Sequence, residues 1–169
     1  MLLDELRIIL LRDIAGVTRE LDLYPDEASI WKNVTGLPNS AGNLILHVTG
    51  NLQHFFGTAL GHTTYVRNRD AEFTRRDIAR SELNNELASS RHAVEAAFAN
   101  LTEGGLEQPF PVRITDTEFS TRLAILQLIT HLAYHLGQID YHRRVVTGNR
   151  ASANPVAAPD LVTRSHPTT

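Results

Sequence analysis

Two histidines with helical spacing are the residues of this sequence best suited to metal chemistry. His131 and His135 lie four residues apart in the apolar run THLAYHLGQI, with no proline between them. On an α-helix this spacing places both imidazoles on one face, one turn apart, so both rings can reach one ion. An H-x-x-x-H pair also occurs by chance, and two ligands are too few for a site. A third ligand must therefore come from elsewhere in the chain.

The best candidate for the third ligand is His47, which lies in the apolar segment LILHVTGNL near the middle of another helical pattern. In helix bundles, metal sites form from side chains that project inward from facing helices. Three imidazoles with one open position suit a borderline divalent ion such as Zn²⁺ or Ni²⁺ and leave room for a water or a thiol. We therefore predict a metal site made of His47, His131 and His135.

Other interpretations of the pair remain open at this point. Both rings could be core residues with ordinary hydrogen bonds, although a buried polar group left unpaired costs roughly 1–3 kcal/mol. A bundle with a haem between two axial histidines is also possible, but the pair then has no clear role. A di-iron site is disfavoured because its E-x-x-H motif is absent: Leu128 precedes His131 by three residues, and Leu132 precedes His135.

Two polar residues lie one helical turn from the predicted ligands. Asn51 follows His47 by four residues and Gln138 follows His135 by three. Either side chain could hold a ligand imidazole or a bound molecule from outside the ligand shell. Ordinary helix polar residues are an equally good interpretation. We name Asn51 and Gln138 as candidates to support the ligands or a bound molecule from outside the ligand shell, and we identify no catalytic residue.

The remaining histidines fit a metal site less well. His54 and His142 each lie seven residues from a predicted ligand, about 10 Å along a helix, which favours a role at the rim of the site. His62, His92 and His166 fall in a connection, on an exposed helix face and in the tail. We expect those three to be solvated.

Apolar residues recur at spacings of three and four in four segments, which predicts four helices at about residues 2–23, 40–60, 81–101 and 121–147. Predicted capping residues are Asn39 or Ser40, Ser81, Ser120 and Gly148. No strand pattern is convincing. We therefore predict an all-α four-helix bundle over residues 1–148, with long connections, followed by an extended or mobile tail over 149–169.

Composition excludes several classes of protein. The 169 residues carry a net charge of -3 and no cysteine, and the basic residues do not cluster, which argues against nucleic-acid binding. No run of apolar residues is long enough for a membrane span. The first residues, MLLDELRIIL, are acidic where a signal peptide would be basic. These features predict a cytoplasmic protein.

The two histidine segments resemble those of the DinB-like (DinB/YfiT) superfamily of four-helix bundles. LILHVTGNLQHFF places His47 at the histidine of the second helix, and LITHLAYHLGQIDYHRR matches the His-x-x-x-His-x-Gly-Gln pattern of the fourth. The resemblance covers roughly residues 1–147. One departure is Leu136, which stands where an arginine is often found.

The resemblance implies a divalent metal, commonly zinc or nickel, bound by the three histidines, and a homodimer. Some members are S-transferases that use low-molecular-weight thiols such as bacillithiol or mycothiol, whereas others carry a hydrolase label. Neutral imidazoles leave the site positively charged, which favours an anionic ligand. We therefore predict a metal-dependent thiol S-transferase that acts on a small-molecule substrate. The alternatives are a hydrolase using metal-bound hydroxide and a non-enzymatic metal-binding bundle of a stress response.

Overall fold

The computed structural model describes residues 1–161, and that part of the chain is helical without strands. The helices are α1 (Leu2–Asp22), α2 (Glu27–Ile30), α3 (Ala41–Leu52), α4 (Arg69–Thr74), α5 (Arg80–Asn100) and α6 (Thr121–Thr147). The prediction of an all-α fold is confirmed. None of these helices combines the length and apolar character needed to cross a membrane.

The four long helices share one apolar core. α1 contacts both α5 and α6, and α3 also contacts both of them, so each long helix lies against two others. Core side chains come from all four helices, and Leu10, Ile45, Leu83 and Ile125 are fully buried. This arrangement brings the middle of α3 alongside the middle of α6, where the histidine segments lie.

Three of the predicted caps are present. The hydroxyls of Ser40 and Ser120 each accept a hydrogen bond from a backbone N–H in the first turn of α3 and α6, and Gly148 ends α6 with a φ of 67°. The predicted cap at Ser81 is wrong. α5 begins at Arg80, after an extended Ala79 that has no capping side chain, so Ser81 is already inside the helix.

α3 continues directly into a π-helical segment, Gln53–Thr58. Its backbone bonds join residues five apart: Ala59 N–H donates to the His54 carbonyl at 3.0 Å, and Gly61 N–H donates to the Phe56 carbonyl at 2.7 Å. The sequence predicted one regular helix to about Leu60. Because π-turns are wide and often accompany functional sites, this segment is relevant to the cavity described below.

The connection between α3 and α5 contains the short helix α4, which sequence periodicity did not reveal. Asn68 caps it by accepting a hydrogen bond from Ala71 N–H at 3.0 Å. α4 packs against α3 and carries Glu72, whose side chain is buried there. The approach depends on Gly50, since a Cβ at that position would overlap the Glu72 carboxylate.

The segment after α6 lies against the helices as far as residue 161. Arg143 donates to the carbonyls of Asn149 and Ala151, at 3.0 and 2.8 Å, and Arg19 donates to the carbonyl of Ala153 at 2.9 Å. The domain boundary at residue 148 and the mobility of the tail stay predictions. His166 lies outside the described residues.

Candidate metal centre

Tertiary packing brings His47, His131 and His135 together, although 84 residues separate the first two. The Nε2 atom of His131 lies 3.3 Å from Nε2 of His47 and 3.2 Å from Nε2 of His135. The three ligand atoms all lie within 4.8 Å of one another. This group could hold a metal ion.

The group behind each of two rings determines which ring nitrogen carries the proton. Nδ1 of His47 donates to the Glu72 carboxylate at 2.8 Å, and Nδ1 of His135 donates to the Gln138 amide oxygen at 2.7 Å. A neutral imidazole with a protonated Nδ1 has a lone pair at Nε2. Both lone pairs therefore point toward Nε2 of His131. Nε2 of His131 carries at most one proton, which it could donate to His47 or to His135 but not to both. At least one of these two lone pairs therefore receives no hydrogen bond.

Two of the three nitrogen separations match those around a tetrahedral ion. Ligand nitrogens about 2.0–2.1 Å from Zn²⁺ in tetrahedral geometry are roughly 3.3–3.4 Å apart. The separations between His131 and its two neighbours, 3.3 and 3.2 Å, are close to that value. A lone pair that receives no proton is repelled by its neighbours at this distance unless a cation lies between them, which is what a metal site requires.

Burial keeps the imidazoles of His131 and His135 in the neutral form that binds metals. Burial first, and then the neighbouring charges of His135, His47 and Arg67, lower the pKa of His131 to about 4. Burial also lowers the pKa of His135, against a smaller opposing effect from its bond to Gln138. Both rings are therefore neutral near neutral pH, each with one nitrogen free of a proton, as coordination requires.

Glu72 and Arg67 form a buried pair behind His47 that the sequence analysis missed. Arg67 donates from Nε to one Glu72 oxygen at 2.7 Å and from Nη2 to the other at 2.9 Å. Burial by itself would raise the pKa of the Glu72 carboxyl, but the hydrogen bonds from His47 and Arg67 outweigh it and lower that pKa. Glu72 is therefore ionised and accepts a hydrogen bond from His47. A histidine ligand backed by a carboxylate is the usual outer shell of a metal site.

The two supporting candidates, Asn51 and Gln138, have different surroundings. Gln138 contacts His135 as described above. Asn51 is 7% exposed, and its side chain makes no hydrogen bond with any described residue. It lines a cavity of about 540 Å³ that opens beside His47 and His131. Asn51 is thus placed to meet a molecule in the cavity rather than a ligand ring.

The other histidines of the described chain do not join the group. His142 is fully buried: it accepts from the Tyr24 hydroxyl at 2.8 Å and donates to the Lys32 carbonyl at 2.9 Å. His54 is half-buried in the π-helical segment, and His62 and His92 are exposed. His142 therefore has a structural role, which its spacing from His135 did not indicate.

The fold and this group of side chains define an all-helical protein with a three-histidine group that could hold a metal ion. The chain belongs to a family described as a protein of unknown function (DUF1572), whose profile matches residues 7–157. Comparison with curated proteins and with solved structures gave no match. The family match covers both histidine segments but names no reaction.

Proposed function

We propose that this protein is a DinB-like four-helix bundle that holds a divalent metal at His47, His131 and His135 and transfers a low-molecular-weight thiol to a small molecule. The observation that carries the proposal is the convergence of three imidazole nitrogens with lone pairs that no described donor can fully satisfy. Three neutral nitrogen ligands with an open position favour zinc or nickel. When bound, such an ion lowers the pKa of a thiol and supplies a thiolate nucleophile.

The lining of the cavity favours a thiol over water as the nucleophile. The described residues that line it include no aspartate or glutamate, and the nearby Glu72 is fully engaged by His47 and Arg67. In many metal hydrolases, such as the H-E-x-x-H metalloproteases, a carboxylate at the site assists the attack of water as general base. A thiol has a pKa near 8.5 and loses its proton to solvent once a cation is nearby, so it needs no such base. Its sulfur then bonds to the electrophilic carbon, and the leaving group departs with its electron pair.

The residues of the chain orient the site rather than take part in bond changes. Glu72 and Gln138 fix the ring orientations of His47 and His135 through Nδ1, so that both Nε2 atoms point inward before any ion binds. This preorganisation lowers the ordering cost of binding. The cavity beside His47 and His131 provides the volume for the second substrate.

The proposal is tested by metal content and thiol dependence measured on the same untagged protein. We expect stoichiometric zinc or nickel by elemental analysis, and thermal stabilisation by bacillithiol or mycothiol only when the metal is present. His131→Ala and His135→Ala should remove the metal, whereas His54→Ala should retain it. Turnover of simple esters without a thiol would indicate the hydrolase instead. Full metal with neither thiol binding nor turnover would indicate the non-enzymatic alternative.

Dimerisation is a further part of the proposal. Tyr134, Tyr141 and Val145 are exposed by 64, 71 and 60% along the outward face of α6, and an exposed apolar face can mark an interface between proteins. A second copy packed on this face would cover them. Analytical ultracentrifugation of the protein and of Tyr141→Glu tests this, and a monomeric parent protein would contradict it.

A further inference from the structure

The cavity beside the three-histidine group is lined by both apolar and polar side chains. The apolar ones are Phe55, Ile114, Phe119 and Leu128, contributed by the π-helical segment, the connection before α6, and α6 itself. At about 540 Å³ the cavity is large enough for a small organic molecule. These apolar side chains indicate a ligand with an aromatic or aliphatic body.

The polar side chains of the cavity lining carry positive charge, and no carboxylate is among them. Arg67 and Arg69 both line the cavity, and none of the lining residues is acidic. Glu72 neutralises Arg67 through Nε and Nη2, but within residues 1–161 nothing accepts a hydrogen bond from its Nη1. Arg69 pairs with no carboxylate of the described chain; its guanidinium lies 5.4 Å from the centre of the Phe73 ring. One positive charge in the lining is therefore left unbalanced.

A buried amide adds a second, independent indication of a ligand. The Asn51 side chain lines the same cavity, is more than nine-tenths buried, and has no hydrogen-bond partner among the described residues. Because no group of the described residues occupies its N–H donors or its carbonyl oxygen, the Asn51 amide is free to hydrogen-bond to a molecule in the cavity. Two guanidinium groups and one amide provide donors for a planar oxyanion.

We propose that this cavity binds a small organic carboxylate with an apolar body, its carboxylate held by Arg69, Nη1 of Arg67 and the Asn51 amide. A carboxylate offers two oxygen acceptors in one plane to these planar donors, and its negative charge offsets the positive charge of Arg69. The inference rests on the proposed function, since the bound acid would be the molecule that the thiol attacks. It gives that molecule a chemical class: an acid with an aromatic or aliphatic body.

Isothermal titration of the metal-loaded full-length protein tests this with hydrocinnamate, its uncharged amide, acetate and phenyl phosphate. We expect hydrocinnamate to bind at least about tenfold more tightly than the other three, because only it combines a carboxylate with the apolar body. Arg69→Gln and Asn51→Leu should each weaken hydrocinnamate about tenfold. Arg91→Gln removes an equal charge from the exposed surface of α5 and should leave the affinity unchanged.

Each other result overturns the inference. Equal affinity for the acid and its amide would remove the charge argument, and tighter phenyl phosphate would assign a different anion. Binding that survives Arg69→Gln would indicate that the metal alone holds the carboxylate. Failure here is distinct from failure of the proposed function: metal and thiol binding without hydrocinnamate binding leaves the transferase proposal standing. Hydrocinnamate binding by a protein that holds no metal would support the carboxylate site and overturn the transferase proposal.

Discussion

At the scale of single residues, the important groups are the acceptors behind the imidazoles. A histidine ring can point either nitrogen into a site, and the hydrogen bond on the opposite side selects which one. Glu72 makes that selection for His47, and Gln138 makes it for His135. The same bonds restrict ring rotation, so we attribute the convergence of the Nε2 atoms to these two side chains as much as to the helices.

Replacing the carboxylate behind His47 tests this attribution. Glu72→Gln keeps the shape of the side chain but removes its charge, so it holds the His47 proton less firmly and leaves Arg67 without its counter-ion. We expect zinc affinity to fall about 10–100-fold, as for other outer-shell substitutions. Competition with a chromogenic chelator measures the change.

Glu82→Gln is the matched control for that variant. Glu82 pairs with Arg75 on the exposed surface of the protein. Zinc affinity equal to that of the unmodified protein is expected for Glu82→Gln. Equal affinities for the two variants would mean that Glu72 does not support the site.

At the scale of elements, the site depends on how closely α4 approaches α3. Gly50 allows this approach, because its missing side chain leaves room for the Glu72 carboxylate. Gly42 does the same for Trp31, whose ring carbons would lie 2.6 Å from a Cβ at that position. Glycine is required at these two places by close contact rather than by backbone conformation.

Gly50→Ala should therefore act on the metal site indirectly. The added methyl group pushes Glu72 away from His47, and we expect zinc affinity to fall by a factor similar to that of Glu72→Gln. Gly137→Ala is the control, since a Cβ there meets no atom within 4 Å and alanine favours the helix. Zinc affinity unchanged in Gly50→Ala would show that the carboxylate does not need its present position.

His142 connects α6 to the segments around α2 and gives that contact a pH dependence. Burial lowers the pKa of His142 against a smaller opposing effect of the Lys32 carbonyl. The unfolded chain, with a histidine pKa near 6.5, therefore binds more protons than the folded protein below that pH. The contribution of neutral His142 to the free energy of unfolding is complete above about pH 6.5. The free energy of unfolding falls as the pH drops below that value.

Urea denaturation at pH values between about 5 and 8 measures this effect. His142→Gln can still accept from Tyr24 and donate to Lys32 but cannot titrate. We expect its free energy of unfolding to decline less steeply with acid, by at most about 1.4 kcal/mol per pH unit. His92→Gln, at an exposed position on α5, should leave the slope as it is. An unchanged slope in His142→Gln would contradict the assignment.

At the scale of the whole molecule, a buried ion pair joins the first helix, the last helix and the segment that follows. Arg143 is fully buried and bonds to Glu20 on α1 and to Asp140 on its own helix. Its remaining donors reach the backbone at Asn149 and Ala151. Burial, more than the opposing bond to Arg143, raises the pKa of Glu20, so the carboxylate depends on its partner.

Removing this arginine should destabilise the protein more than any surface change. Arg143→Ala leaves a buried carboxylate without compensation, and we expect a loss of about 3–5 kcal/mol in the free energy of unfolding. Arg144→Ala is the control, because Arg144 pairs with the same Asp140 but is 32% exposed, and its loss should cost at most about 1 kcal/mol. Equal losses in urea denaturation would mean that burial of the pair contributes nothing.

The sequence by itself determined the four long helices and the H-x-x-x-H pair. Both are local properties: apolar residues three and four apart define a helix face, and residues four apart share it wherever the helix lies. The apolar pattern also indicated His47 as the third ligand, and the resemblance to DinB-like proteins implied the same three residues. Caps at Ser40, Ser120 and Gly148 were predictable for the same local reason, whereas the start of α5 depended on an extended Ala79 that no side chain marks.

Only the tertiary structure decided what surrounds the three histidines. Glu72 and Arg67 come from a polar connection with no apolar periodicity, and they reach His47 because α4 packs over Gly50. Asn51 and Gln138 looked equivalent in the sequence, yet one faces a cavity and the other holds a ring. The physical reason is that spacing in the sequence determines which residues share a face of a helix. Which residues contact that face depends on segments distant in the sequence that fold against it.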